Sequence, residues 1–492
     1  MSAAMPILLL ACAFVPATVT MFLDERSARL RNTLSIGSAI LKLLLIVYLL
    51  DGVARGNTYE ARLEFVPGLF LLLRVDALAL LFITLSSFLW LITTIYAIAY
   101  FKGTANLSRF FGFFNLCVTA TTGIALSGSL ITFFLFYELL TLSTWPLVVH
   151  KGDEKSIAAG RTYLSYTMAG SAALLLGIVW LEGLTGPIEF VTPPDLDSID
   201  DWTLRAIFAL CIGGMGVKAA LFPFHGWLPQ AMAAPAPVSA LLHAVAVVKA
   251  GAFGIVRFIY DVYGTARIDE LSVGLPLAAL AAFTIIYGSV LALRQDDIKR
   301  RLAFSTVSQV SYIVLGASLA GPFATIGGLI HLVHQGLTKI TLFFGAGALA
   351  ERMNIHKVAE LDGAGRRMPL TMLAFSIGAL GMIGVPPVAG FVSKWYLGLG
   401  GLQAGQGWVI AVLAGSSLLN AAYFLPLLYR AWFLPPPAQI EPVHDGPAER
   451  PLGLILPAVI TAAAALGAGL LAAFAWSPLG WSTLIVEEFY LP

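Results

Sequence analysis

Apolar runs of nearly equal length recur along this chain, and short polar or basic stretches separate them. A helix that crosses a membrane needs about 20 mostly apolar residues. About 14 runs meet that length, so the pattern predicts an all-α polytopic membrane protein. The predicted spans are 4–22, 33–54, 76–100, 109–128, 130–149, 160–182, 204–222, 238–260, 271–293, 302–320, 322–350, 368–399, 406–432 and 452–476.

Basic residues are unevenly shared between the loops. Of the 29 Lys and Arg residues, about 18 lie in loops that follow odd-numbered spans, and about six lie in the other loops or at helix ends. Cytoplasmic loops carry the excess of Lys and Arg. We therefore expect both termini on the outer side of the plasma (inner) membrane of a bacterial or archaeal cell.

Composition narrows the class of protein further. Hydrophobic residues make up 58% of the 492, charged residues 12%, and the mean hydropathy is +0.85. These values exclude an ordinary soluble globule. A net charge of +1 gives no reason to expect nucleic-acid binding. The three cysteines lack any metal-binding spacing, so we expect no metal and no cofactor.

Five lysines fall inside predicted spans: Lys42, Lys218, Lys249, Lys339 and Lys394. An ammonium inside a bilayer costs about 3 kcal/mol on insertion scales and often marks a transport path. A snorkelling side chain at a helix end is the alternative for Lys218, and Lys42 could tilt to an edge or meet a partner subunit. Glu138 is the carboxylate placed firmly inside a span, where it could pair with one lysine.

Two spans are interrupted by proline. Pro223 ends the seventh span, and Pro386 and Pro387 divide the twelfth. Proline removes a backbone donor and clashes with the preceding turn. Matching breaks five helices apart favour two inverted five-helix repeats, helices 4–8 and 9–13; simple kinks are the alternative. The predicted units are N-terminal helices 1–3 (1–105), a first repeat (106–262), a second repeat (268–433) and a C-terminal helix and tail (434–492).

Polar residues also line the eleventh span. His331, Gln335 and Lys339 follow one another at intervals of four, which places them on one helical face, with His334 beside them. His243 lies between the lysines of the seventh and eighth spans. Histidine titrates near neutrality and suits a proton relay. Hydrogen bonding between helices is the alternative, and for His334 both interpretations stay open.

Several motifs resemble one known family. The stretch KAALFPFHGWLPQAMAAPAPVSALLHAVAVVKAG (218–251) resembles the core motif of the antiporter-like subunits of respiratory complex I and of Mrp-type cation/proton antiporters. The same resemblance extends over about residues 70–400. The pair His243 and Lys249, with the chain length and span number, resembles the Mrp D-type subunit. Further matching stretches are LRVDALALLF (73–82), FYELLTLSTWPLV (136–148), DDIKRRLAFSTVSQVSYIVLG (296–316), LTKITLFFGAGAL (337–349) and GVPPVAGFVSKWYLG (384–398).

The resemblance implies a role for each buried charge. Glu138 matches the family's glutamate of the fifth helix, and Lys218 matches its partner in the broken seventh helix. Lys249 matches the lysine that passes protons towards the centre. His331 and Lys339 match the central relay, and Lys394 matches the terminal lysine of the twelfth helix. Gln335 stands where many relatives carry a histidine, so water or His334 would have to carry that step.

These features together predict a proton-translocating subunit of a multisubunit Mrp-type Na⁺/H⁺ antiporter, without an active site of its own. In this hypothesis a charged Glu138 holds Lys218 protonated, and loss of the pair sends the proton towards Lys249. The expected partners of the chain are other membrane subunits, the lipid bilayer and protons, with Na⁺ as a further candidate. One buried carboxylate is too little for a Na⁺ site, so the main Na⁺ path would need another subunit.

Three alternatives remain open at this stage. The same residues would serve a proton-pumping subunit of a redox complex, either complex I or a membrane-bound hydrogenase. They would also serve a proton-path subunit of an inorganic-carbon uptake complex. In a scaffold, by contrast, the charges would only fix helix packing. The partner proteins distinguish the first two, and transport after neutralisation of the charges distinguishes the last.

Overall fold

Helices occupy all of the predicted spans in the computed structural model, which describes residues 3–66, 69–190, 192, 194–436 and 448–490. The prediction of an all-α polytopic membrane protein is confirmed. The helices are α1 (Ala4–Met21), α2 (Ala28–Ala54), α3 (Ala77–Tyr100), α4 (Leu107–Leu126), α5 (Leu130–Val148), α6 (Glu154–Thr185), α7 (Asp201–Lys218), α8 (Ala236–Tyr263), α9 (Gly274–Leu293), α10 (Ile298–Ser318), α11 (Pro322–Met353), α12a (Pro369–Ile383), α12b (Ala389–Gln403), α13 (Trp408–Phe433), α14 (Leu452–Leu470) and α15 (Pro478–Tyr490).

Ten helices in the described part of the chain are long and apolar enough to cross a membrane. The other predicted spans are α7, α10 and α11, which carry more polar side chains, and α12, which is divided into two short halves. We expect the polar side chains of these helices to face other helices, because a polar group that faces lipid would find no hydrogen-bond partner.

The centre of the bundle is formed by α8 and α11. Every residue of α8 is buried, as is every residue of α11 from position 324 to 349. By contrast, α2 exposes apolar side chains such as Leu44 and Val47, which suit contact with lipid tails. A polar side chain on α8 or α11 is therefore enclosed by protein on all sides.

Both predicted helix breaks are present. Helix α7 ends at Lys218, and three short helical turns, Phe224–Gly226, Trp227–Gln230 and Ala231–Ala233, lead to α8. Helix α12a ends at Ile383, where Gly384 takes a φ of +90° that favours glycine. Pro223 lies in the first break, and Pro386 and Pro387 lie in the second. The inverted relation of units 106–262 and 268–433 stays a prediction.

Three features were not predicted. Helix α8 contains two π-helical segments, Leu241–Val245 and Phe258–Tyr263. Strands β1 (Tyr59–Val66) and β2 (Leu69–Val75) form an antiparallel hairpin between α2 and α3. This hairpin is fixed to the α4–α5 connection, where the Gly128 amide donates to the Leu72 carbonyl over 2.8 Å. Helix α15 follows α14 near the C-terminus.

Candidate proton path

Glu138 and Lys218 lie on neighbouring helices, α5 and α7, but they bind different partners. The Ser171 hydroxyl of α6 donates to the Glu138 carboxylate. The Lys218 ammonium donates to the Tyr137 carbonyl and lies 3.3 Å from the centre of the Tyr137 ring. The two side chains form no ion pair with each other, although both belong to the described part of the chain. The two members of the expected pair therefore do not bind each other: Lys218 is held at Tyr137, the residue that precedes Glu138 in α5.

Helix α8 packs closely on the end of α7 and carries His243 and Lys249. A Cβ atom on Gly251 would come within 2.3 Å of the Ala219 amide nitrogen, so glycine permits this contact. Lys249 Nζ donates to the Leu332 carbonyl of α11 over 2.8 Å. His243 lies in the first π-helical segment. Such segments inside α-helices frequently occur at functional sites.

Helix α10 connects α8 to α11 through a set of hydrogen bonds. His243 Nδ1 lies 3.0 Å from the Thr306 hydroxyl. Lys339 Nζ donates to the Ser305 hydroxyl over 2.6 Å. Both hydroxyls donate to the same carbonyl, that of Leu302, over 2.9 and 2.8 Å. The two polar residues of α8 and α11 are thus held at one turn of α10.

The remaining polar residues of α11 differ in how their side chains are held. His331 Nδ1 lies 2.8 Å from the Ser393 hydroxyl of α12b, one residue before Lys394. His334 and Gln335 are both buried, and their side-chain nitrogen and oxygen atoms have no hydrogen-bond partner among the described residues. Buried polar groups are normally satisfied. The backbone carbonyl of Ala389 lies near the His334 ring, outside normal hydrogen-bond geometry.

Lys394 is held by the break in its own helix. Its ammonium donates to the Ile383 carbonyl over 2.8 Å, to the Met382 carbonyl over 3.2 Å and to the Ser417 hydroxyl of α13 over 2.8 Å. The last carbonyls of a helix lack intrahelical partners and carry partial negative charge. The broken end of α12a therefore supplies the counter-charge for this lysine.

The predicted lysines and histidines form a series on helices that pack against one another. From α7 the series passes to α8 and then to α11, partly through α10, and it ends on α12b. All four lysines of the series are buried, and within the described ranges none of them forms an ion pair with a carboxylate. Such groups can gain and lose a proton without breaking a strong ion pair. The arrangement suits stepwise proton transfer between enclosed groups.

Lys42 does not belong to this series. Its side chain is fully buried, donates to the Thr122 hydroxyl over 2.6 Å and lies 5.5 Å from the Trp90 ring. The expectation that it tilts to an edge or meets a partner subunit is wrong, because α2 turns this residue inwards. The lipid-facing positions of α2 are occupied by its apolar residues.

Two further groups were missed by the sequence reasoning. Arg257 of α8 is buried and pairs with Asp76 at 2.6 Å and with Asp261 at 2.9 Å. The spacing of four between Arg257 and Asp261 could have indicated this ion pair. Tyr312 of α10 places its ring 4.9 Å from the His331 ring and 5.5 Å from Lys394 Nζ. No sequence signal marks Tyr312.

No group of three or more His, Cys, Asp or Glu side chains able to hold a metal ion occurs among the residues that the structure describes.

The fold and this arrangement define a membrane protein of the antiporter-like class. Residues 127–420 match the family described as "NADH:quinone oxidoreductase/Mrp antiporter, TM". The chain belongs to this family.

Three similar proteins show the breadth of that family. The chain is 37% identical over 395 residues to NADH-quinone oxidoreductase subunit N of Desulforudis audaxviator, covering 78% of this chain and 77% of that one. It is 34% identical over 344 residues to hydrogenase-4 component B of Escherichia coli, covering 66% of this chain and half of the other. It superposes on a chain in the structure of the Mrp complex from Dietzia with a TM-score of 0.85, 25% identity and 98% coverage of both chains.

Proposed function

We propose that this chain translocates protons as a membrane subunit of a multisubunit Mrp-type Na⁺/H⁺ antiporter. The observation that carries the proposal is a series of buried ammonium and imidazole groups on helices that pack together, in which the lysines have neutral acceptors in place of carboxylate partners. The proposed path comprises Glu138, Lys218, His243, Lys249, His331, His334, Lys339 and Lys394.

The physical argument starts from the energy of a buried lysine. An unpaired ammonium in a low-dielectric interior is strongly disfavoured, so a lysine that has no structural ion pair indicates reversible protonation. Each site of the series keeps a carbonyl or hydroxyl oxygen close to the nitrogen. Such an oxygen stabilises the ammonium moderately and leaves the neutral amine tolerable. Proton exchange between adjacent sites then needs no charge to move alone through lipid.

Glu138 is proposed to control the first lysine. In the structure its carboxylate is bound by Ser171, while Lys218 binds the neighbouring carbonyl. A charged Glu138 would favour a charged Lys218, and a protonated Glu138 would not. One pKa unit corresponds to about 1.4 kcal/mol, and a potential of 100 mV supplies about 2.3 kcal/mol per charge. A membrane potential of that size therefore supplies the energy that corresponds to between one and two pKa units for each proton moved.

The Mrp assignment is supported by the match to the Mrp complex over nearly the whole length of both chains. It implies that the partners are other membrane subunits and that a Na⁺ path, where present, uses groups outside this chain. We also propose a plasma-membrane location with both termini on the outer side, on the basis of the loop charges.

A redox-driven proton pump is the second candidate. The specific observation that favours it is the relative named NADH-quinone oxidoreductase subunit N, which aligns over more than three quarters of both chains. The same buried series would then be driven by electron transfer in other subunits.

Purification of the tagged full-length chain in mild detergent, with mass identification of the proteins that accompany it, separates the two candidates. Small Mrp-type membrane subunits and sodium-dependent proton flux in proteoliposomes are the expected result. Iron–sulfur subunits, with proton movement that depends on an electron donor, would replace the antiporter with the redox pump. Assembly with either set but no proton movement would contradict both.

A further inference from the structure

Two hydroxyl groups lie directly against relay histidines. The Thr306 hydroxyl is 3.0 Å from His243 Nδ1, and the Ser393 hydroxyl is 2.8 Å from His331 Nδ1. All four side chains are buried. A neutral imidazole carries its hydrogen on one ring nitrogen only, and the hydrogen bond made by the ring decides which one. These hydroxyls are therefore in a position to set the tautomer of each ring.

Each hydroxyl also lies close to a carbonyl of its own helix. Thr306 Oγ1 is 2.9 Å from the Leu302 carbonyl, and Ser393 Oγ is 3.1 Å from the Gly390 carbonyl. A hydroxyl has a single hydrogen to donate, and a carbonyl oxygen has none. Both bonds at each hydroxyl are therefore satisfied together only when the hydroxyl donates to the carbonyl and the imidazole Nδ1 donates to the hydroxyl.

The other nitrogen of each ring is then available as an acceptor. Nε2 of His243 and Nε2 of His331 are buried and make no hydrogen bond of normal geometry among the described residues, and the Gln309 carbonyl lies near the His331 ring. We propose that Thr306 and Ser393 are positioning residues that hold His243 and His331 as the Nδ1–H tautomer and make Nε2 the proton-accepting atom. The acceptor role rests on the proposed proton path, whereas the tautomer itself does not.

The proton balance at each ring is simple. A proton arriving from a hydronium ion or a lysine ammonium forms a new Nε2–H bond and leaves an imidazolium, while the donor becomes neutral water or a neutral amine. The Nδ1–H bond stays directed at the hydroxyl throughout. Loss of the proton from Nε2 restores the starting tautomer. The ring can therefore repeat the exchange without turning over between protons.

His334 provides an internal comparison. Both of its ring nitrogens lack a partner among the described residues. The nearby Thr338 hydroxyl donates over 2.9 Å to the His334 main-chain carbonyl and not to the ring. No hydroxyl holds the ring of this histidine, and the polar group near it is the Ala389 carbonyl. We therefore expect His334 to show a mixture of tautomers where His243 and His331 show one.

The test is nitrogen NMR of the full-length protein in lipid, with ¹⁵N-labelled histidine and the signals assigned by His243→Gln and His331→Gln. In the wild-type protein we expect a protonated Nδ1 and an unprotonated Nε2 for both residues. Thr306→Val and Ser393→Ala should each abolish this preference at the adjacent histidine only, whereas Thr306→Ser should retain it. A protonated Nε2 in the wild-type neutral rings would overturn the proposal.

Proton flux in the assembled complex tests the acceptor role separately. Thr306→Val and Ser393→Ala should lower flux about 10- to 100-fold, as do changes in the hydrogen-bond partners of metal-bound histidines, and Thr306→Ser should restore it. If Thr306→Val changes the tautomer of His243 and the flux stays at the wild-type level, the acceptor role is overturned. Absence of flux from the assembled wild-type complex would overturn the proposed function, but it would leave the tautomer result standing.

Discussion

The two helix breaks differ in how their exposed backbone is satisfied. At the end of α7, the Trp227 indole donates to the Val217 carbonyl over 2.8 Å, and Lys218 is free to bind α5. At the end of α12a, Lys394 itself binds the last two carbonyls. A neutral group caps the first break, and an ammonium caps the second.

This difference separates the means of controlling the two lysines. The surroundings of Lys218 come from another helix and include a carboxylate, Glu138, whose charge can change with a proton. The hydrogen-bond partners of Lys394 are backbone carbonyls of α12a and a hydroxyl, whose partial charges are fixed, and His331 is a titratable group near it. We infer that the first site responds to protonation of a carboxylate, whereas the second keeps constant hydrogen-bond partners and exchanges its proton with the histidine side of the path.

Removal of the Lys218 ammonium should have the largest effect. We expect Lys218→Ala to abolish coupled proton transport and to leave assembly of the complex intact, because the first titrating group of the series is lost. Lys218→Arg should fail as well, since a guanidinium keeps its proton at physiological pH. The test is proton flux in proteoliposomes, measured on complexes that contain all of their subunits. Wild-type flux in either assembled variant would remove Lys218 from the path.

The fold was far easier to predict from the sequence than the surroundings of the buried lysines. Hydropathy and proline placed the spans and the breaks at Pro223 and Pro386, because lipid burial and missing backbone donors act on the local sequence. The binding of Lys218 to Tyr137 and the inward turn of Lys42 depend on packing between helices distant in sequence. The π-helical segment around His243 has the same origin, as has the ion pair of Arg257 with Asp76. A single sequence carries no direct record of such contacts.

Glu138→Gln should have the second largest effect. The amide keeps the shape and can still accept from Ser171, but it can no longer change its charge. We expect proton flux to fall roughly 100-fold, within the range found when a group that exchanges protons is removed. Flux measured in the assembled complex tests this.

Ser171→Ala is the matched control for that change, since it removes the partner and leaves the carboxylate. It should reduce flux less than Glu138→Gln. Equal flux in Glu138→Gln and the wild type would remove the proposed difference between the two breaks, because Lys218 would then need no titrating neighbour.

Asn420→Ala should act at the second break with a smaller effect. The Asn420 amide donates to the Met382 carbonyl over 2.9 Å, beside the Lys394 ammonium. Its loss leaves one buried carbonyl with fewer donors, which costs about 1–3 kcal/mol. We expect a lower unfolding temperature and a reduction in flux of less than about tenfold, because the Lys394 ammonium keeps its own three acceptors and a tenfold change in rate corresponds to about 1.4 kcal/mol. A complete loss of flux with normal assembly would show that Asn420 itself is part of the path.

Lys42→Met should have the smallest effect. It serves as the reference variant for the changes made at both helix breaks. Lys42 is as deeply buried as Lys218, but it lies on α2, away from either break. Its acceptor, the Thr122 hydroxyl, donates to the Val118 carbonyl over 2.7 Å and would stay satisfied without the ammonium. Methionine fills a similar volume, and replacement of buried charge by an apolar side chain is often neutral or stabilising. We therefore expect unchanged flux and an equal or higher unfolding temperature in the purified complex. A loss of flux like that of Lys218→Ala would mean that burial of a lysine, and not its place beside a helix break, determines which lysines carry protons.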